Sequence, residues 1–194
     1  MSSVVISGDT SGAITVAAPA VSGTNTLTLQ AGTATNSMNT RGTAVASTSG
    51  TSIDFTGLPD WVKRITVMFQ GVSTSGTSLP IIQLGTGSTT YTASGYVGST
   101  TDASTAVATV NHNTGVPLQA SGGAATVMQG AVVISNLTGN VWASFGVIGR
   151  SNTTNTSMTG GTISLAAALT AVRITTVNGT DTFDAGTINI LYEG

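Results

Sequence analysis

Apolar and polar residues alternate along this chain with a period of two, in short stretches separated by glycine, asparagine and serine. In VKRITVMFQGV, Ile65, Val67 and Phe69 share one face while Arg64, Thr66, Met68 and Gln70 share the other, as in a strand with one buried side. NVWASFGVIG sets Val141, Ala143, Phe145 and Val147 against Trp142, Ser144, Gly146 and Ile148, and GTINILYEG aligns Ile188, Ile190 and Tyr192. ATVMQGAVVISNL precedes NVWASFGVIG across Thr138-Gly139-Asn140, so these two stretches read as a central hairpin. GTAVAST, SIDF, LPIIQLG, YTASGYV, TISLAAAL and AVRITTV supply further strands, and Asn178-Gly179 opens the last connection with a dipeptide suited to positive φ. LAAALTAV (165–172) has the composition for one helical turn, but its Thr-Ile and Arg-Ile-Thr flanks favour a strand. About eight or nine strands result, with turn signals roughly every dozen residues, and no strand–helix alternation that would build a doubly wound sheet. The expected fold is all-β: an antiparallel β-sandwich or jelly roll over residues 42–194.

Residues 1–41 differ in texture. Short apolar runs at 4–6, 13–17 and 26–29 are broken by Gly-Asp, Ser-Gly and Gly-Thr-Asn, and no aromatic residue precedes Phe55. Such a segment has no core of its own, so its strands need the rest of the chain, a neighbouring subunit, or both. It reads as an extended N-terminal β segment for attachment. The alternation in TNTLTLQ favours this over a flexible Gly/Ser/Thr leader.

Composition sharpens the picture. Only 6 % of residues are charged, against roughly 25 % in ordinary soluble domains, and serine plus threonine make up about 30 %. Helix surfaces normally use Lys, Glu and Arg for solvation and i,i+4 pairing, so their scarcity beside abundant Thr and Val leaves strands as the regular structure. A surface with so few charges repels its own copies weakly and suits an assembly subunit. The net charge of −2 and scattered arginines offer no track for a phosphate backbone, so nucleic acid is not an expected partner. No apolar run approaches the roughly 20 residues of a membrane helix, and MSSVVISGDTSG lacks the basic start and apolar centre of a signal peptide.

Chemistry needs titratable groups, and these are few. With no cysteine there is no thiolate metal site, redox centre or sulfur nucleophile. The single histidine, His112, lies between two asparagines and reads as solvent-exposed or loop-capping; no G-x-S-x-G elbow accompanies it. Asp181 and Asp184 form the one close acidic pair, but without calcium-loop spacing they read as turn caps. Gly85 to Thr90 is glycine-rich yet lacks the lysine and following helix of a phosphate loop, so it reads as a turn. Asn-x-Ser/Thr matches at Asn136, Asn152, Asn155 and Asn178 arise by chance in so threonine-rich a chain. No catalytic residue, metal ligand or cofactor is assigned, and an enzyme is not expected. LPDWVKR reads first as a Trp-anchored loop tucked over the core; the alternative is an exposed contact point, since Trp61 and Arg64 are of the types enriched at interface hot spots. Tyr91, Tyr96 and Trp142 are candidate sugar-stacking rings, with Trp142 better suited to the core because it lies mid-strand. Partner contact is therefore assigned to Trp61, Arg64, Tyr91 and Tyr96, with candidate loop tips at 73–79, 86–104, 111–124 and 151–160.

Two stretches, SGDTSGAITVAAPAVSGTNTLTLQAGT and TSIDFTGLPDWVKRITVMFQGVSTSGTSLPIIQLGTG, resemble sequences that recur in tailed-bacteriophage virion proteins, especially tail fibres and small accessory particle proteins. The resemblance implies a homotrimer on the particle exterior, made in the host bacterial cytoplasm, with an N-terminal attachment region and a C-terminal β domain. Two roles follow as expectations. One is a short trimeric tail fibre or receptor-binding protein touching a host-surface glycan. The other is a capsid decoration (cement) protein that adds its N-terminal strands to the shell by β-augmentation. In either role its partners are its own copies and other virion proteins, with no membrane insertion.

Overall fold

A computed structural model describes residues 3–7, 13–17, 39–104, 106–124 and 126–194. The chain forms two compact units, Met1–Thr35 and Asn36–Gly194. In the first, β1 (Ser3–Ser7) pairs antiparallel with β2 (Ala13–Ala17), matching two of the apolar runs read from the sequence. The third, at 26–29, lies outside the described residues.

The second unit is all-β, with no helix among the described residues, and its antiparallel sheets pack together as a β-sandwich. One sheet has four strands in the order β10 (Val116–Pro117), β7 (Pro80–Gly85), β14 (Ala171–Thr176), β5 (Ser52–Thr56). The other runs β3 (Thr40–Arg41), β15 (Phe183–Glu193), β6 (Arg64–Thr74), β11 (Met128–Thr138), β12 (Val141–Arg150), β13 (Thr156–Ser164), β8 (Val97–Ala103), β9 (Ala108–Asn111). A ninth strand, β4 (Val45–Ala46), also pairs with β15. The unit therefore has more strands than the eight or nine expected: β3 and β10 hold only two residues each and carry no period to read, whereas β4, equally short, falls within GTAVAST. Thr40–Arg41 pairs with β15 and so lies in the sandwich unit.

Period-two burial follows the sequence pattern. Ile65, Val67 and Phe69 of β6 face Ile53 and Phe55 of β5, Ile82 and Leu84 of β7, and Val172 and Ile174 of β14 in one continuous core. Full burial of each such side chain contributes on the order of 1.5–3 kcal/mol. Trp142 is buried in this core, as its mid-strand position implied. The β11–β12 hairpin turns at Thr138-Gly139-Asn140, where Gly139 takes φ +51°, a left-handed value that glycine adopts without strain. Residues 165–170 are not strand: they cross from β13 to β14 with Leu165 and Leu169 buried as plugs. The expected loop tips are partly strand, since β8, β9 and β13 run through 97–103, 108–111 and 156–164.

Towards β8 the sandwich interior turns polar. Thr100, Asp102, Ser144, Arg150, Ser157 and Thr159 are all buried, as are His112 and Gln119 in the segment that follows β9. Asp102 is the hub. It accepts from the Ala120 and Ser121 amides at 2.8 Å each, from the Ser121 and Ser157 hydroxyls at 2.6 Å each, and from the guanidinium of Arg150. Burial alone would push its carboxyl up, but the hydrogen bonds from Ser121, Ser157, the Ala120 amide and Arg150 outweigh it and hold it below the ordinary value. His112 corrects the sequence reading: it is 3 % exposed, with Nε2 at 3.2 Å from the Thr100 hydroxyl and 3.1 Å from that of Thr159. Alternation explains this, because Asn111 and Asn113 point to solvent and His112 between them points inward. The ring fits because Gly98 and Gly161 leave room; a Cβ on Gly161 would lie 2.5 Å from Nδ1.

Candidate interaction surface

The outer face of the nine-stranded sheet is built by the same alternation that fills the core. Register places Leu191, Thr66, Val133, Phe145, Gly160, Ser99 and Asn111 in one row across seven strands. The adjacent row runs through Asn189, Met68, Ala131, Val147, Met158, Thr101 and Thr109. Across these seven strands neither row holds a charged residue; the first continues from Leu191 to Arg41 on edge strand β3. Phe145, Val147 and Met158 stand 58 %, 54 % and 51 % exposed at its centre. Met68, Ala131, Val133 and Leu191 are half-buried beside them. Arg64 and Glu193, 3.5 Å apart, pair at one end. A contiguous apolar surface with a polar rim marks a contact face in soluble proteins.

The four residues assigned to partner contact do not converge. Trp61 is half-buried, its ring centroid 5.9 Å from that of Tyr192, and Arg64 is at the sheet end with Glu193. Tyr91 is on the outer side of the four-stranded sheet, where Arg173 stacks on its ring at 3.9 Å. Tyr96 corrects the expectation: it is 4 % exposed, so its ring is closed to a ligand. Its hydroxyl accepts from the Leu84 amide at 2.8 Å and donates to the Thr92 carbonyl at 3.2 Å, and burial pushes its pKa up to about 12. Asp181 does cap a turn, accepting from the Ser78 amide and the Asn178 side chain. Asp184 is separate, accepting from the Ser73 hydroxyl.

Sequence reasoning missed the groups around a cleft of about 420 Å³ where edge strand β5 stands beside β3, β4 and β15. Arg41, Asp54 and Tyr192 line it. No local signal joins residues so far apart in the chain. Among the described residues no group of three His, Cys, Asp or Glu could hold a metal, and no helix is long and apolar enough to cross a membrane.

Fold and surface together define an all-β sandwich protein with a partly apolar sheet face whose centre is uncharged. No known protein family matches the chain, and no curated protein or solved structure does either.

Proposed function

We propose that the protein is a non-enzymatic structural component of a bacteriophage particle that acts on the particle exterior as a homotrimer, as a short tail fibre or receptor-binding protein contacting host-surface glycan. The observation that carries the self-assembly part is the outer-face patch centred on Phe145, Val147 and Met158, whose charges lie only towards its edge. Covering each half-exposed side chain would contribute about 1 kcal/mol, and few like charges oppose the approach of a second copy. The phage setting rests on the resemblance of the two sequence stretches. Successive strands pass from one sheet to the other at β4–β5, β5–β6, β6–β7, β7–β8, β9–β10, β10–β11, β13–β14 and β14–β15, which supports a jelly-roll reading of the sandwich. Nε2 of His112 and the buried Asp102–Arg150 pair are held in internal hydrogen bonds, which supports a role without proton chemistry.

A second reading, capsid decoration by N-terminal strand addition, is favoured by one observation. Among the described residues β1 and β2 pair only with each other, and a two-stranded ribbon gains stability by adding strands at its edges. Sedimentation equilibrium tests the assembly: a trimer is expected, and Phe145→Asp with Val147→Asp should release folded monomers. A wild-type protein that stays monomeric at all concentrations overturns the reading. Copies per particle, counted by quantitative mass spectrometry, separate the two roles: hundreds mean shell, a few dozen or fewer mean tail.

A further inference from the structure

We propose that Asn178 is the modification site at which this protein ages: its side-chain amide is lost to attack by the Gly179 nitrogen when the loops 75–79 and 176–182 part, and the product keeps them parted. Asn178-Gly179 is the single Asn-Gly pair in the sequence, and glycine in second place leaves the attacking nitrogen unshielded by any side chain. Gly179 takes φ +67°, and a Cβ built on it would meet nothing within 4 Å, so water and solvent base reach its amide. In the reaction that nitrogen gives its proton to the base and bonds to Cγ of Asn178. The Cγ–Nδ2 bond breaks, and Nδ2 leaves as ammonia with a proton from water. A second water opens the cyclic imide at either carbonyl, leaving aspartate or isoaspartate at 178.

The folded turn restrains both reacting groups. The Gly179 N–H donates to the Thr176 carbonyl at 3.0 Å. Asn178 Oδ1 accepts from the Thr176 hydroxyl at 2.8 Å and from the Thr180 and Asp181 amides at 3.0 and 3.2 Å, while Nδ2 donates to Asp181 Oδ1 at 2.7 Å. That last donor is the main reason the Asp181 carboxyl lies below its ordinary value. Closing the imide ring swings the amide group towards Gly179 and breaks these bonds first. The same residues fasten the two loops together. The Asn178 amide donates to the Ser78 hydroxyl at 3.0 Å, the Ser78 amide to Asp181 Oδ2 at 2.9 Å, and the Val177 amide to the Leu79 carbonyl at 3.0 Å. A carboxylate at 178 has no donor for Asp181 and sets two like charges at that contact, and isoaspartate also lengthens the backbone beside Ser78. None of this chemistry depends on a particle role.

The experiment ages the full chain in mildly alkaline buffer, folded or unfolded in urea, and reads aspartate and isoaspartate at every asparagine by peptide mass spectrometry. In urea Asn178 should react faster than any other asparagine. In the folded protein it should react at least about tenfold more slowly, because two or more hydrogen bonds break ahead of the chemistry. Asp181→Ala and Thr176→Val, checked for folding by circular dichroism, should each speed the folded reaction by about fivefold, the worth of one hydrogen bond, and leave the rate in urea unchanged. Thr176→Val keeps the side-chain shape and decides the matter should Asp181→Ala not fold. Asn178→Asp, or aged wild type separated by ion exchange, should be cut faster by subtilisin within 75–79 or 176–182. Another asparagine leading in urea overturns the site. A folded chain that reacts as fast as the unfolded one, or that neither variant speeds, overturns the control by the loops. Wild-type resistance to subtilisin in the product overturns their parting.

Discussion

Replacing Arg150 with methionine isolates the buried carboxylate at the polar end of the sandwich. The pair's side chains are 4 % and 1 % exposed, and Asp102 links β8 to β12 across Ser157 of β13 and to the 120–121 segment. Removing one partner of a buried ion pair costs about 3–5 kcal/mol, because the remaining charge stays desolvated. Here two backbone amides and two hydroxyls still point at Asp102, so the lower end, about 3 kcal/mol, is expected. For a domain of this size that corresponds to a melting temperature lower by roughly 6–12 °C. Adding Asp102→Asn should recover part of the loss by removing the charge while keeping an acceptor for the 120–121 amides. Circular dichroism melts at one fixed protein concentration provide the measurement, since self-association shifts the midpoint with concentration. The acid limb gives an independent check. The folded state holds the Asp102 carboxyl below its ordinary value of 3.8, so the unfolded chain takes up that proton first as pH falls. The stabilisation is whole above that value and is lost on descending through it, and Arg150→Met should show a shallower loss. A single variant within 1 kcal/mol of wild type, or a double variant no better than the single, refutes this account of the pair.

Tyr96→Phe leaves the Leu84 amide without its acceptor and should cost about 1–3 kcal/mol in urea unfolding; in the wild type, one phenol should titrate near 12 by ultraviolet absorbance. Burial depresses the His112 pKa below 6.5, so on acidification the unfolded chain protonates first and stability falls below that pH; His112→Gln should flatten the profile between pH 7 and 5. Gly161→Ala drives a Cβ to 2.5 Å from His112 Nδ1 and 2.6 Å from the Val97 carbonyl, and melts should register a loss of about 1–3 kcal/mol.

Strands with one apolar row were legible: β6 and β15 bury the residues that alternation selects. β12 was legible as a strand but not in its orientation, because both of its rows are apolar. Hydropathy does not distinguish Trp142 and Ile148, which face the core, from Phe145 and Val147, which face out; pairing with neighbouring strands decides it. The outward apolar patch was therefore hidden in a pattern that looked wholly structural. His112 was misread because flanking asparagines signal a turn, whereas the residue continues the inward side of β9 beyond its last paired position. Asp102 and Arg150 gave no sign of each other, being 48 residues apart in a chain whose charges are few and scattered. The cleft lined by Arg41, Asp54 and Tyr192 likewise forms only once strands distant in sequence have closed into sheets.

The pairing of β6 with β15 has a consequence for biosynthesis. β6 ends at Thr74 and β15 begins at Phe183, so 183 − 74 = 109 positions separate the two partners. At about 5–20 residues per second, a ribosome needs roughly 5–20 seconds to supply the second after the first. For that interval one flank of β6 is bare on the nascent chain, while Ile65, Val67 and Phe69 already make it an avid strand former. Chains growing side by side on one message would meet at that flank, so slow translation or crowded polysomes should favour tangled aggregates over correctly paired sheets.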